Sequence, residues 1–242
     1  MNIKKILVSA AASAVMLGVI AVPAFAASYS VFGDASVVPG GNPGNMARVT
    51  SGVATPGYGG VSFTLPSGTS VVNDLYTLST DYMVLVGDCG GGAPRFSIEV
   101  NGGKNIFVYL GPTPSFTACP AGWQATGNLL SDVDLRVDTS QVGGTFYDTW
   151  ANAKALVGAQ VIADLSLVVD ASWAVGGTQS FGFDNVTINN DVTTFDPIVV
   201  AHPANIDQCK KDGWMTFSNP TFKNQGACVS YVQSNEKAGK RN

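Results

Sequence analysis

Apolar and polar residues alternate from Arg95 to Val100. Phe96, Ile98 and Val100 fall on one side, and Arg95, Ser97 and Glu99 on the other. A period of two is the signature of a half-buried strand. Asn101-Gly102-Gly103 follows, and Asn and Gly accept the positive φ of a tight hairpin at little cost. A second strand runs from Asn105 to Leu110. Ile106, Val108 and Leu110 share one face, but Phe107 and Tyr109 make the other face large as well. Such a strand is covered on both sides or carries an aromatic patch on its open side. Pro112 and Pro114 end it.

The same alternation predicts strands at Ser30 to Val38, Ala47 to Thr50, Val61 to Leu65, Leu75 to Leu78, Tyr82 to Val86, Asp132 to Asp138, Ile162 to Val169 and Ser180 to Ile188. Parity changes between Phe183 and Val186, which places a bulge at Asp184-Asn185. One segment has helical spacing instead: Phe146, Trp150, Ala153 and Val157. Asp148 falls in its first turn, Lys154 nearer its last, and Gly158 stops it. Many short strands with Gly/Pro-rich turns and one short helix predict an all-β, jelly-roll-type β-sandwich over residues 27–190. A linker over 191–206 contains Pro197 and Pro203. A small disulfide-stapled unit spans 207–235, and a polar tail spans 236–242.

The first residues change the compartment. Lys4 and Lys5 precede the apolar run Ile6 to Ile20, and Ala24-Phe25-Ala26 has the small-x-small form of a cleavage site. Residues 1–26 are therefore expected to be a signal peptide, which makes the protein secreted and leaves no membrane span in the mature chain. Cleavage removes two lysines and no acid, so the net charge moves from −4 to −6. That balance excludes a nucleic-acid binder with a basic face. All acids except Glu99 and Glu236 are Asp, a turn former and a hard oxygen ligand suited to calcium. Export also permits disulfides. Four cysteines allow three connectivities, and proximity favours Cys89–Cys119 and Cys209–Cys228.

Two stretches resemble known proteins. Phe181-Gly182-Phe183-Asp184-Asn185-Val186-Thr187-Ile188-Asn189 is similar to the terminal strand of carbohydrate-binding-module jelly rolls. The resemblance implies that an Asp near this position ligands a structural calcium ion. Asp184 is then the expected ligand, with Asp34 on the first strand as its partner. The second stretch runs from Cys209-Lys210-Lys211-Asp212-Gly213-Trp214 to Phe222-Lys223-Asn224-Gln225-Gly226-Ala227-Cys228-Val229. It resembles a C-terminal motif of secreted bacterial proteins that reads Cys-Lys-x-Gly-Gly-Trp with Phe-Lys-Asn-Gln-Gly-x-Cys-Val, and Asp212 stands where the first Gly of the pair is usual.

Catalytic signatures are sparse. His202 is the single histidine and lies in the linker, and no Gly-x-Ser-x-Gly, His-Glu-x-x-His or phosphate-binding loop is present. Binding has more support. Sugar faces stack on aromatic rings, and sugar hydroxyls bond to Arg, Asp, Asn and Glu. Arg95, Glu99, Tyr109 and Trp123 are the expected ligand-binding residues, with Phe107, Tyr147 and Trp173 as further candidates. The expected partner is polysaccharide or cell-envelope glycan. The alternatives are an extracellular structural or adhesion protein with no small ligand, and an Asp-dependent polysaccharide hydrolase.

Overall fold

The structure, a computed structural model, describes residues 29–52, 56–131, 134–196, 202–217, 220–234 and 237–239. The expected signal peptide at 1–26 lies outside the described residues, as do Asp132, Val133 and much of the polar tail. Among these residues twelve strands form two antiparallel sheets: β1 (Tyr29–Gly33), β2 (Ala35–Gly41), β3 (Gly44–Ser51), β4 (Gly59–Phe63), β5 (Leu78–Val86), β6 (Arg95–Val100), β7 (Lys104–Tyr109), β8 (Gln124–Ala125), β9 (Val137–Asp138), β10 (Ile162–Val169), β11 (Gln179–Ile188) and β12 (Asp191–Thr193). The first sheet has the order β1-β4-β10-β6-β7-β9. The second has the order β2-β3-β11-β5-β8, with β12 added to β11. Successive strands from β3 to β6 switch sheets, which makes a jelly-roll-type sandwich.

The core lies between the sheets and follows the period of two. Phe96, Ile98, Ile106, Val108, Leu165 and Leu167 of the first sheet meet Ala47, Val49, Leu78, Phe181 and Phe183 of the second, and all are fully buried. Each large side chain so buried contributes roughly 1.5–3 kcal/mol of transfer free energy. The strand expected over 30–38 is two strands in two sheets. Gly33 turns the corner at φ +61, where a Cβ would strike the Tyr58 carbonyl. The Asp34 N–H donates to Tyr58 O at 2.9 Å, and Asp34 O accepts from the Thr50 N–H at 2.8 Å. A sheet-to-sheet crossing leaves the alternation intact, so the period alone does not reveal it.

The bulge in β11 is present. Its register with β5 shifts between Asp184 and Thr187, and Asn185 has φ 48. Residues 191–196, expected in the linker, complete the sandwich instead. β12 pairs with β11, and Phe195 belongs to the main core. Of the strand expected over 132–138, only Val137–Asp138 forms among the described residues. The helix α1 (Trp150–Val157) starts later than expected, because Thr149 caps it by accepting from the Asn152 N–H at 3.2 Å. Asp148 lies before the cap, not in the first turn. A short α2 (Ser172–Val175) joins β10 to β11.

The C-terminal unit has its own core. Cys209, Phe217, Phe222, Cys228 and Tyr231 are buried together, none of them shared with the sandwich core. Helix α3 (Gln225–Gln233) is capped by Asn224, which accepts from the Ala227 N–H at 2.9 Å. Both disulfides have the expected pairing, Cys89–Cys119 and Cys209–Cys228. The His202 ring packs against Tyr231, with centroids 6.3 Å apart. Among the described residues no helix is long and apolar enough to cross a membrane.

Candidate functional site

The faces of β6, β7 and β10 that turn away from the core carry the polar half of the alternation. Arg95 lies opposite Tyr109, Ser97 opposite Phe107, and Glu99 opposite Asn105. Loops rise around the Arg95–Tyr109 end of this face and wall a cleft of about 520 Å³. Gly90 to Gly92 form one side, and Ser115 to Thr117, Phe146-Tyr147 and Trp173 form the others. Three rings on this wall stand unusually free of the protein: Trp173 is 82% exposed, Phe146 65% and Tyr147 56%. Exposed aromatics gathered at one concave site mark a binding surface.

The floor is rigid and internally paired. Arg95 donates from Nη1 to Asp170 Oδ1 at 2.6 Å and from Nη2 to Asp170 Oδ2 at 2.7 Å. Nη1 also donates to Gly92 O at 3.0 Å, and the guanidinium lies 4.5 Å from the Phe107 ring centroid. Arg95 is therefore a strut that ties β6 to the glycine loop and to the segment bearing Trp173. Its Nε is buried and has no hydrogen-bond partner. The Tyr109 hydroxyl donates to Asp138 Oδ2 at 3.1 Å, and Asp138 Oδ1 accepts from the Ser140 N–H at 2.9 Å. Burial pushes the Tyr109 phenol well above its ordinary value, and the Asp138 charge adds to this. Tyr109 is thus a neutral donor across the physiological range. Its ring packs on Phe116 at 5.3 Å, and Phe116 stacks with Tyr147 at 6.1 Å and 19°. Beneath them Arg136 donates to Tyr109 O at 2.9 Å and faces the Phe116 ring.

The structure brings Arg95 and Tyr109 together in the cleft, with Phe107, Tyr147 and Trp173. Glu99 shares the sheet face but lies further along it, opposite Asn105 and Asp164. Trp123 is elsewhere. It lies beside Gly182 of the second sheet, where a Cβ would stand 3.5 Å from its ring. Sequence reasoning missed Phe116, Phe146, Asp138 and Asp170. Phe116 carried a weak signal, an isolated aromatic in a Pro/Ser/Thr loop. Asp170 carried none, since its partner is 75 residues away.

Asp184 is almost fully buried at the β11 bulge. Its Oδ2 accepts from the Asn42 N–H at 2.6 Å, and its Oδ1 from the Asn185 N–H at 2.8 Å. Asp81 accepts from the side chains of Asn42 and Asn185, and Asp196 accepts from the Asn45 N–H at 2.7 Å. Three carboxylates thus hold the turn between β2 and β3. Burial raises the Asp184 pKa, and the charges of Asp196 and Asp81 raise it further, while the two N–H bonds oppose them. Asp34 is not part of this group. It sits at the other end of β2, roughly 20 Å along the strand. Calcium requires converging oxygens. Here the contacts to the carboxylates are N–H donors, which suit an anion. The only Asp, Glu, His or Cys trio with ligand atoms within 4.8 Å of one another among the described residues is Asp88, Cys89 and Cys119. Both of those cysteines are in a disulfide. Asp184, Asp81 and Asp196 thus do not bring three carboxylate oxygens within that distance of one another.

No protein-family model matches the sequence, and no curated protein is similar to it. Two solved structures are similar. One is the family 11 carbohydrate-binding module of the cellulosomal cellulase Lic26A-Cel5E of Clostridium thermocellum, at 16% identity over 67% of this chain and 85% of that one, with a TM-score of 0.37. The other is an exo-beta-agarase, at 12% identity over 74% of this chain, with a TM-score of 0.32; the match spans 25% of the agarase chain.

Proposed function

We propose that the protein is exported and binds polysaccharide in the cleft above β6 and β7, without catalysing its breakdown. The observation that carries this is the grouping of Trp173, Phe146 and Tyr147, all exposed, around a floor of fixed hydrogen-bonding groups. A pyranose ring has apolar C–H faces and a polar rim. Rings held on the wall take the faces, and the Tyr109 hydroxyl and the Asp138 and Asp170 carboxylates offer acceptors and donors to the rim. Covering one such ring with ligand is worth about 1.5–3 kcal/mol of apolar burial before the cost of ordering the ligand. Both cleft carboxylates are already engaged, Asp138 by Tyr109 and Ser140, and Asp170 by Arg95. Neither is placed as a free acid or base. The two disulfides and the leader-like residues 1–26 support the exported location.

A glycan array probed with the purified protein tests the reading. Binding to at least one polysaccharide, lost in Trp173→Ala and weakened in Tyr147→Ala variants that still melt like wild type, is expected. Binding that survives both substitutions would place the ligand elsewhere.

One further observation favours hydrolysis as a second reading. Glu99 lies directly opposite Asp164 across β6 and β10, so two carboxylate side chains share one sheet face as cross-strand neighbours, with Cβ atoms about 5 Å apart, and a hydrolase of the retaining class needs such a near pair of carboxyls. Asp164 is already bonded by the Ser62 hydroxyl. Release of reducing sugar by wild type, abolished in Glu99→Gln, would establish that reading.

A further inference from the structure

Beside the cleft lies a second depression of about 410 Å³. Thr113, Pro114, Asp134 and Leu135 line it, and it shares Phe116 and Tyr147 with the first. The stacked pair of rings is therefore a wall between two hollows. Phe116, the inner ring, is 8% exposed, while Tyr147 is more than half exposed and forms the crest. Leu135, 53% exposed, presents a further apolar surface on the far side. A single sugar unit seated in one hollow does not reach the other. Only a chain that crosses Tyr147 uses both, with the crest ring against one of its middle units.

The charges around the two hollows are also ordered. Arg95 is committed to Asp170 through both terminal nitrogens. Arg136 is committed to the Tyr109 carbonyl and to Asp134 and faces the Phe116 ring. Against these two cations stand three carboxylates, Asp134, Asp138 and Asp170. An anionic ligand would meet a net negative wall with each of these cations already matched, and desolvating its charge there would go uncompensated.

Building on the glycan-binding reading, we infer that the ligand is an uncharged polysaccharide bound as an internal stretch of chain that spans both hollows across Tyr147. Uronates, sulfated glycans and phosphate-bearing wall polymers are excluded by the same wall.

Isothermal titration of the full chain tests this with uncharged gluco-, xylo-, manno- and galacto-configured oligosaccharides, each as disaccharide and hexasaccharide. Oligogalacturonate and heparin fragments of matched length serve as the anionic arm. At least one uncharged hexasaccharide is expected to bind at least about tenfold more tightly than its disaccharide, with no binding by the anionic arm. Tyr147→Ala is expected to bring the hexasaccharide to the disaccharide's affinity. Leu135→Asp, a change on an exposed side chain, should weaken the hexasaccharide alone. Equal affinity for both lengths, or binding of an anionic fragment as tight as any uncharged one, would overturn the inference and leave the glycan-binding reading standing. Silence from every sugar tested would overturn both.

Discussion

Arg95 and Asp170 face each other in two parallel hydrogen bonds, at 2.6 and 2.7 Å, and so join the floor of the cleft to the segment that carries Trp173. The fork geometry is particular to Arg and carboxylate. Arg95 also bonds Gly92 O, so one side chain fixes two walls. It holds the cleft in shape, and in the proposed reading the glycan contacts fall to the rings around it.

Asp170→Asn should keep the shape but lose the charge and one acceptor. Asp170 is about a third exposed, so solvent screens part of the effect. A loss of about 1–3 kcal/mol is expected, with Arg95 left partly unpaired. Arg95→Lys should cost a similar amount, because a lysine cannot make the two-pronged contact. A double-mutant cycle by chemical denaturation checks this. Additive losses would mean the pair is not coupled.

Gly91 sits where the glycine loop meets α2. It has φ +62, and an added Cβ would stand 2.6 Å from Ala174 Cβ and 2.8 Å from Ala171 Cβ. Gly91→Ala therefore meets both backbone strain and a clash with α2. A loss of about 1–3 kcal/mol is expected, together with displacement of Trp173. Trp fluorescence and thermal melting report the two effects separately. An unchanged emission spectrum would show that α2 does not rest on this glycine.

The sequence made the sheets legible and the cleft only in part. Phe96, Ile98 and Val100 announced their buried face by alternation, and Arg95 and Tyr109 their open one. The β11 bulge was visible because a parity change is itself a local signal. The cleft wall was not visible, because it comes from loops whose positions depend on pairings such as Arg95–Asp170. Trp123, expected with Arg95 and Tyr109 in the site, lies instead beside Gly182 of the second sheet, a relation 59 residues distant in the chain. Asp212 has a left-handed backbone at φ 65, a conformation that glycine adopts at least cost, so its oddity in the sequence has a local backbone counterpart.

The C-terminal unit depends on its staple. Its buried core holds two cysteines and three aromatics, which is small for independent stability. Cys209 and Cys228 are 19 residues apart. Closing that loop is worth about 3 kcal/mol on the chain-entropy model. A Cys209→Ser/Cys228→Ser double variant should lose hydrogen-exchange protection over α3 while the sandwich keeps its melting temperature. If protection persists, aromatic packing alone holds the unit.

Asp184 gives a pH-dependent test. Its carboxyl is nearly buried, and burial, reinforced by the charges of Asp196 and Asp81, raises its pKa above the ordinary 3.8. The folded state therefore binds the proton more tightly than the unfolded chain does. The contribution to stability is complete below about 3.8 and is lost as pH rises through the elevated folded value. Other carboxylates act in the opposite sense. Asp148 is raised by burial but lowered more by hydrogen bonds from Thr139, Asn152 and Thr149, so its contribution fades as pH falls. The two must be separated by difference. In Asp184→Asn the side chain cannot titrate, and one of the two N–H groups now facing oxygen must face an amide NH₂. That mismatch costs about 1–2 kcal/mol at neutral pH. As pH falls from neutral toward 3.8, wild type should gain stability relative to the variant. Melting both proteins across this range, with calcium and with chelator, measures that gain. Because N–H groups already occupy the carboxylate, the gain is expected to be the same in calcium and in chelator. A gain that disappears in calcium, with a higher wild-type melting temperature, would show that a cation displaces those N–H bonds and holds the turn itself.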